Sequence, residues 1–360
     1  QTIDFSLPGK NLLSVISPQD LPEVPESMQE LERALRNPIG APPLAQAVQG
    51  ANEVVILADD LTRATPVQLI IPLLLDELNA AGISDDQVMA IIALGTHRSM
   101  TEEEINARFS AAVVKRIPVL NNPWQDPTQL VDLGMTQNRT AVEVSRLALE
   151  ADFLVGLGSI VPHHIIGFSG GAKIVQPGVT GAATTGGTHY LSTRTSRSYL
   201  GVIENPVRME VEIIAQQVGL NAIFNVVLDK HSRLEQAFYG DPRLAHRAGV
   251  RVCEGIYGVP IPGQAEVVVA SSHPCDIEFW QAHKSLYAAD LAVKDGGTII
   301  VVTPCPEGVS ITHQEMLAFT ALEADQLTRT IERGEIEDRV SGALALAWAQ
   351  IRERAEVYLV

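Results

Sequence analysis

The chain has 360 residues, of which 46% are hydrophobic and 19% charged, and its formal net charge at pH 7 is −17. This length exceeds what one ordinary hydrophobic core needs and suits two domains, and the composition excludes disordered, collagen-like and coiled-coil proteins. The acidic balance argues against nucleic-acid and membrane partners, because a negative surface repels phosphate backbones and anionic lipids.

Short apolar runs alternate with helical patterns along the first part of the chain, which is typical of βαβ units around a mostly parallel sheet. In chain order the predicted elements are strand 53–58, helix 67–81, strand 88–94, a helix that begins at 101–104 with a capping-box sequence, and strand 151–157. Each of the three strands runs into a polar segment. Ligands of open α/β sheets bind beyond the carboxyl ends of the strands, so we expect the functional site there.

A stretch with glycine and proline at 258–263 predicts a break, after which the same rhythm restarts. The elements predicted beyond it are strand 266–270, helix 279–293, strand 297–303 and a final helix over 342–358. The predicted fold is α/β with two domains, a larger one over 1–260 with a mostly parallel sheet and a smaller one over 261–360. We expect the active site in the cleft between them, and the final helix could pack on either domain.

The densest group of reactive residues is PHHIIGFSGGAKIVQPG at 162–178. Gly170 and Gly171 lack a Cβ, so the backbone there can approach a ligand closely and offer N–H groups to a phosphate. Lys173 can contact that phosphate or, if its amine is desolvated, act as a covalent nucleophile. The alternative is a tight glycine turn with a surface lysine and a core histidine. The spacing does not match a Walker loop.

Two further segments bring polar side chains together. In DDLTRATP, Arg63 can hold a substrate carboxylate in a bidentate fork, or the segment can simply cap a helix and pair an aspartate with the arginine. Gln281 and Lys284 share one helix face and suit a carboxylate or a carbonyl oxygen, unless they only begin a solvated helix. Histidines that gain no role from their local sequence alone are His97, His189, His231, His246, His273 and His313.

Taken together, the motifs resemble the lactate racemase family, the 2-hydroxyacid racemases and epimerases that use a nickel-pincer nucleotide. In chain order the motifs are DDLTRATP at 59–66, GTHR at 95–98, HHIIGFSGGAKIVQPG at 163–178, His189, and QAHK at 281–284. Each motif is weak alone, but their order and spacing together are highly specific and extend over much of the chain.

The resemblance implies a cofactor, the pyridinium-3-thioamide-5-thiocarboxylic acid mononucleotide with nickel, attached covalently at Lys173. Nickel is then bound by the sulfur–carbon–sulfur pincer and by one histidine, which matches His189. His97 and His163 match the two histidines that act as acid and base on opposite sides of the substrate. The remaining implied site residues are Gly170, Gly171 and Asp60 on the cofactor side and Arg63, Gln281 and Lys284 on the substrate side.

The implied reaction is racemisation by hydride transfer, which avoids the carbanion that loss of a weakly acidic α-proton would form. One histidine takes the hydroxyl proton while hydride leaves the same carbon, and the 2-keto acid reorients before hydride returns to its other face. The opposite histidine then supplies the proton, so two bases are the expected number. Arg63 and Lys284 would hold the carboxylate during the reorientation.

The substrate is left open by the sequence. Malate and lactate are the nearest candidates, because His283 and Arg98 are extra polar groups that could receive a second carboxylate or be structural. A C2 epimerase of a longer hydroxy acid or sugar acid would use the same machinery. His164 has no assigned role beside His163, and Trp348 is a candidate for the family's C-terminal aromatic site residue.

Two other classes of protein fit the sequence less well. An NAD-dependent 2-hydroxyacid dehydrogenase would carry a GxGxxG fingerprint, whereas Gly156-Leu157-Gly158 lacks the third glycine. A non-catalytic phosphate-binding protein would not need two opposed bases.

The expected location is the cytoplasm. The three cysteines form no CxxC pair, which argues against a disulfide scaffold and structural zinc. No apolar run reaches the roughly 18 residues of a transmembrane helix, and the start QTIDF shows no signal-peptide pattern. The expected partners are a small 2-hydroxy acid and the enzymes that make the cofactor, and a homodimer is left open.

Overall fold

The computed structural model describes residues 4–19 and 26–360 of the chain. The strands are β1 (Val54–Asp59), β2 (Val88–Ala93), β3 (Val119–Asn121), β4 (Leu130–Met135), β5 (Ala141–Ser145), β6 (Phe153–Ser159), β7 (Pro162–His163), β8 (Gly167–Phe168), β9 (Leu220–Leu228), β10 (Leu234–Gly240), β11 (Ala265–Ser271), β12 (Val293–Val302) and β13 (Ala355–Leu359). The helices are α1 (Ser27–Arg36), α2 (Leu44–Ala47), α3 (Val67–Ala80), α4 (Glu102–Phe109), α5 (Ala111–Arg116), α6 (Arg146–Leu149), α7 (Ala182–Ser192), α8 (Pro206–Val218), α9 (Leu244–Tyr257), α10 (Phe279–Ala282), α11 (Lys284–Ala292), α12 (Met316–Phe319), α13 (Ala324–Glu332) and α14 (Arg339–Arg352).

A six-stranded sheet in the order β10-β9-β6-β1-β2-β3 forms the centre of the larger part. Its neighbouring strands are parallel except β9 and β10. Every residue of β1 and β6 is buried, as expected for parallel strands covered on both faces. Successive side chains of β1 belong to different hydrophobic cores. Ile56 packs in the core that contains Ile70 of α3, and Leu57 packs in the core that contains Ile214 of α8. The expectation of a mostly parallel sheet is confirmed.

The order in which the chain adds strands to this sheet reverses at β1. From β1 it adds β2 and β3 on one side, then returns to add β6, β9 and β10 on the other. The crevice at such a switch point lies beyond the carboxyl ends of the adjacent strands and is where open α/β sheets bind ligands. The polar segments after β1, β2 and β6 all reach this crevice.

The C-terminal part has its own three-stranded parallel sheet in the order β11-β12-β13, with a core formed mainly against α11 and α14. Helix α14 also packs on α7 of the larger part, so it contacts both parts. A domain boundary at 260/261 stays a prediction. In the described residues no helix is both long and apolar enough to span a bilayer.

Two predicted elements of the C-terminal part are wrong in detail. The final helix ends at Arg352, and residues predicted as its last turns form β13, which pairs with β12 from Gly297↔Ala355 to Val301↔Leu359. That pairing partner is distant in sequence, so the local helical pattern gave no sign of it. The helix predicted over 279–293 is divided at His283 into α10 and α11, and Val293 already belongs to β12. The capping box at Thr101 and Glu104 is present as predicted.

Candidate active site

A cavity with about 1030 Å³ of empty space, including its open mouth, lies at the switch point and is walled by both parts of the chain. A concave site at a switch point, lined by apolar walls and a few convergent polar groups, is where small molecules and cofactors bind in such folds. Nine of the ten residues predicted from the sequence line it, namely Asp60, Arg63, His97, His163, Gly170, Lys173, His189, Gln281 and Lys284. Gly171 does not line the cavity, and the roles of all ten residues stay predictions.

His97 is held at both ring nitrogens. Nδ1 lies 2.6 Å from Oδ2 of Asp60, and because a carboxylate only accepts, Nδ1 carries the proton. Nε2 therefore has a free lone pair, which accepts the amide N–H of Gln281 at 3.0 Å. Lys284 in turn donates to Oε1 of Gln281. The result is one chain of hydrogen bonds from Lys284 through Gln281 and His97 to Asp60.

Asp60 remains ionised although it is almost completely buried. Burial raises the pKa of its carboxyl, but the charge and hydrogen bond of His97, the charge of Arg63 and the hydrogen bond of Thr62 outweigh that effect. The net pKa lies well below the ordinary value for aspartate. An ionised carboxylate at Nδ1 fixes the tautomer of His97 and stabilises its imidazolium form.

Two cationic side chains face the same space. Arg63 donates Nη1 to the carbonyl and the hydroxyl of Thr62, at 3.1 and 2.7 Å, and among the described residues it forms no ion pair. Burial, reinforced by the charge of Arg63, lowers the pKa of Lys284 to about 7. A carboxylate ligand would give Arg63 an ion-pair partner, and its negative charge would raise the lowered pKa of Lys284.

His163 has the opposite tautomer. Its Nδ1 accepts the backbone N–H of Ile165 at 3.3 Å, which leaves the proton of the neutral ring on Nε2. Burial first, and then the charge of Lys173, lowers its pKa well below the ordinary histidine value. Its ring stacks on His164 with centroids 4.8 Å apart, and His164 stacks on Tyr287 at 3.9 Å.

Lys173 lies in a short 3-10 helix, Gly171–Ile174. Buried side chains form hydrogen bonds to the backbone at and just before this helix. The N–H of Gly171 donates to Oδ1 of Asn225 at 2.7 Å, so it is engaged within the protein. Arg208, completely buried, donates to the carbonyls of Phe168 and Gly170. His246 contacts the carbonyl of Ser169 through Nε2 at 2.8 Å.

Both glycines of this turn have positive φ, +74° at Gly170 and +60° at Gly171. A Cβ would stand 2.7 Å from Oδ1 of Asn225 at the first and 2.8 Å from the ring of His246 at the second. The need for glycine therefore comes from backbone conformation and packing against the anchors. Of the two, only Gly170 faces the cavity.

The amine of Lys173 is a candidate nucleophile. Burial first, and then the charges of Arg63, Lys284 and Arg208, lowers its pKa well below the ordinary lysine value. A lysine in such surroundings is a neutral amine over more of the physiological pH range, which is the form that attacks a carbonyl.

His189 has the protonation pattern that would let its ring bind a metal. It lies on α7, and its Nδ1 is 2.8 Å from the carbonyl oxygen of Thr185 one turn earlier. A carbonyl only accepts, so Nδ1 carries the proton and the lone pair is on Nε2. Burial lowers the pKa of the ring to about 3, which keeps it neutral, as metal ligation requires.

Four residues whose roles the sequence left open are Arg98, His164, His283 and Trp348. Arg98 is paired with Glu104 at 2.7 Å and with Glu307 at 3.6 Å. His164 and His283 both line the cavity, and their rings touch edge to face at 5.1 Å. Trp348 lies 5.4 Å from His283 but does not line the cavity, whereas Leu344, one turn earlier on α14, does.

Two site residues were missed from the sequence. Trp280 lines the cavity beside Gln281, and His313 stacks on it with centroids 4.0 Å apart. Trp280 directly precedes the QAHK motif, and this adjacency could have marked it as a residue of the site. His313 is brought in by long-range folding, and no local motif marks it.

Comparisons with known proteins find sequences similar to this chain. The lactate racemase N-terminal domain matches residues 1–201. A lactate racemase of Thermoanaerobacterium thermosaccharolyticum is 32% identical over 312 residues, covering 84% of this chain and 72% of that protein. A lactate racemase of Lactiplantibacillus plantarum is 30% identical over 284 residues, covering 78% of this chain and 66% of that protein.

Solved structures are similar as well. The structure of the lactate racemase apoprotein from T. thermosaccharolyticum matches with a TM-score of 0.88 and 28% identity, over 99% of this chain and 85% of that one. A crystal structure of a Thermotoga maritima protein matches with a TM-score of 0.74 and 18% identity, over 94% of this chain and 89% of that one. The second likeness shows the fold alone.

Proposed function

Since the chain belongs to the lactate racemase family and is thus an isomerase, we propose that it racemises a small 2-hydroxy acid by reversible hydride transfer through a 2-keto acid. The observation that carries the proposal is the complementary state of two histidines on one cavity. His97 offers a lone pair at Nε2, whereas His163 offers an N–H at Nε2. One is thus prepared to accept a proton and the other to donate a hydrogen bond.

The residues present fit a nickel-pincer nucleotide. Lys173 provides a buried amine of lowered pKa for the covalent link, and His189 provides a neutral imidazole with its lone pair on Nε2 for nickel. When bound, the cofactor would supply a reversible hydride acceptor held beside the substrate.

The protein's own residues would bind and orient the substrate. Arg63 and Lys284 supply positive charge for the carboxylate. The substrate hydroxyl would replace the amide of Gln281 at Nε2 of His97, because that lone pair already accepts a hydrogen bond of the same kind. His97 would then take the hydroxyl proton, and Asp60 would stabilise the imidazolium.

His163 would serve the opposite face of the substrate. Its neutral ring can donate Nε2–H to a keto oxygen, and among the described residues it has no carboxylate partner comparable to Asp60. Burial and the charge of Lys173 oppose its protonation. With its nitrogen in a covalent link, Lys173 could no longer become protonated, which would ease proton uptake at His163 and let it complete the cycle.

Lactate and malate are the substrates to test first. The two relatives named above are lactate racemases, which supports lactate. For malate, Arg98 already forms ion pairs with Glu104 and Glu307. Of the two groups considered for a second carboxylate, His283 is therefore the one that forms no ion pair with the described residues.

The test is racemisation of L-lactate in D₂O by protein produced together with the cofactor-making enzymes. Hydride transfer predicts D-lactate that retains hydrogen at C2, because the hydride returns without exchange with solvent. Deuterium at C2 would instead indicate removal of the α-proton, and it would contradict the proposed reaction.

A C2 epimerase of a longer hydroxy acid is a second candidate, favoured by one observation. His164 and His283 line the cavity, and Nε2 of His164 and Nδ1 of His283 are buried without a geometrically good hydrogen bond. Burial lowers the pKa of both rings, so each is neutral and can both donate and accept, as a hydroxyl group does. Faster turnover of a polyhydroxy acid than of lactate, lost in His164→Phe, would select this candidate.

We also propose a cytoplasmic location and the cofactor-making enzymes as partners for loading. The three cysteines Cys253, Cys275 and Cys305 are all free thiols, which supports a reducing compartment.

A further inference from the structure

The loop that carries His97 contacts the C-terminal part at three successive residues. Oγ1 of Thr96 lies 2.9 Å from Nε2 of His313, Nε2 of His97 lies 3.0 Å from the amide of Gln281, and Arg98 lies 3.6 Å from Glu307. The orientation of His97 therefore depends on contacts made across the cavity and not only on its own loop.

His313 is buried and is held by further partners within the C-terminal part. It is 3% exposed, and its Nδ1 lies 2.7 Å from Oδ2 of Asp338. Asp338 is itself fixed as the N-cap of α14, where it accepts the N–H groups of Val340 and Ser341. The ring of His313 also stacks on Trp280 at 4.0 Å, with 17° between the planes.

The tautomer of His313 follows from these partners. Asp338 only accepts, so Nδ1 carries the proton and Nε2 accepts the hydroxyl of Thr96. Thr96 directly precedes His97, and Trp280 directly precedes Gln281. The ring of His313 therefore contacts Thr96, the neighbour of His97, and Trp280, the neighbour of Gln281.

We propose that His313 is a positioning residue for the reaction: the chain Asp338–His313–Thr96 holds His97 and Gln281 in the relative position that proton transfer requires. This inference rests on the proposed function, in which Nε2 of His97 takes the substrate proton. Displacements of about 1 Å in such groups can lower rates by about a hundredfold, so a rigid anchor has a functional consequence.

The test compares Thr96→Val with Thr96→Ser. Valine keeps the shape of threonine but removes the hydroxyl, whereas serine keeps the hydroxyl and removes a methyl group. In the holoprotein we expect Thr96→Val to lower kcat about fivefold to tenfold with little change in KM, the size expected from one lost buried hydrogen bond. Thr96→Ser should restore most of kcat.

A second readout needs neither cofactor nor activity. In the apoprotein labelled with ¹⁵N-histidine, the Nδ1–H proton of His97, bonded to Asp60, should give a protected downfield NMR signal that is absent in His97→Gln. We expect Thr96→Val to broaden or shift this signal and Thr96→Ser to keep it. A role limited to stability would lower Tm and leave both the signal and kcat unchanged.

Wild-type kcat together with an unchanged His97 signal in Thr96→Val would overturn the proposal. Equal losses in the valine and serine variants would overturn it too, because the hydroxyl would not then be the cause. If Thr96→Val fails to fold, His313→Phe, which removes the acceptor for Thr96 but keeps a ring to stack on Trp280, is judged by the same two readouts. A wild-type holoprotein without racemase activity would count against the proposed function alone, since the apoprotein signals are read independently.

Discussion

At the scale of single residues, hydrogen-bond partners decide what each histidine can do. His97 and His189 both direct Nδ1–H at an acceptor, a carboxylate in one case and a carbonyl in the other. The carboxylate stabilises a proton gained at Nε2, which suits an acid–base group. The carbonyl fixes the tautomer without adding a full charge, which suits a metal ligand.

Asp60→Asn tests the partner of His97. An amide can donate to Nδ1 and favour the wrong tautomer, so we expect kcat to fall by about a hundredfold or more. Cofactor loading, measured by intact mass, should be unchanged. Thr62→Val is the control for kcat, because it removes a 2.5 Å hydrogen bond to Asp60, and one from Arg63, but leaves the carboxylate. Lost loading in Asp60→Asn would instead support the cofactor-binding role predicted from the sequence.

Acylation of the apoprotein tests the lowered pKa of Lys173. A lowered pKa leaves the amine unprotonated at lower pH, so Lys173 should react with an acetylating reagent near pH 7 and its rate should level off earlier as pH rises. Half-exposed Lys294 provides the reference within the same chain. Peptide mass mapping across pH gives both profiles, and coincident profiles would contradict the assignment.

At the scale of elements, the turn that carries Lys173 is held by side chains from three surrounding elements. Asn225 of β9, Arg208 of α8 and His246 of α9 each bond to backbone groups between Phe168 and Gly171. These bonds satisfy backbone groups that burial would otherwise leave unpaired, and they keep the turn in one conformation.

Asn225→Leu is the sharpest test of this anchoring. It leaves the buried N–H of Gly171 without an acceptor, which costs about 1–3 kcal/mol of the free energy of unfolding. We expect that loss in urea denaturation, together with reduced covalent loading at Lys173. Asn225→Asp retains an acceptor oxygen and should load better than the leucine variant; equal loading in wild type and Asn225→Leu would show that the anchor is dispensable.

Local patterns and long-range contacts differ in what the sequence reveals. Strands such as β1 and the capping box of α4 were predictable, because apolar runs and Thr101/Glu104 act over a few residues. The grouping of Asp60, His97 and Lys173 followed from where parallel strands end and from the family resemblance. Strand β13 and the role of His313 were not predictable, because each depends on a partner far away in the chain.

At the scale of the whole molecule, local charge in the cavity opposes the overall charge. The chain carries −17, yet Arg63 and Lys284 line one cavity against Asp59 and Asp60, beside Lys173, whose lowered pKa favours the neutral amine. The pKa of Asp59 is raised, mainly by burial, which further reduces the negative charge there. An anionic substrate therefore meets a locally favourable site on an acidic protein.

The free energy of unfolding should fall as pH drops below about 6.5. Burial lowers the pKa of His163, His164, His246 and His283 in the folded protein, whereas the unfolded chain has ordinary histidines near 6.5. Above that pH both states are neutral at these residues. Below it the unfolded state binds more protons, so each histidine removes about 1.4 kcal/mol per pH unit until its folded pKa is reached.

Urea denaturation at several pH values between 5 and 8 measures this slope. His246→Gln should reduce it by about one proton. His273→Gln, at a site where 79% of the side chain is exposed, is the control for the substitution itself. A free energy of unfolding that does not change from pH 7.5 to 5.5 would contradict the burial of neutral histidines.

The most direct test of the central claim is an intact-mass spectrum with nickel analysis on protein produced together with the cofactor-making enzymes. We expect a covalent adduct located on Lys173, about one nickel per chain, and no adduct in Lys173→Ala. His97→Ala should carry the same adduct and lack racemase activity. An unmodified, nickel-free chain, from cells in which a control racemase is loaded, would contradict the claim.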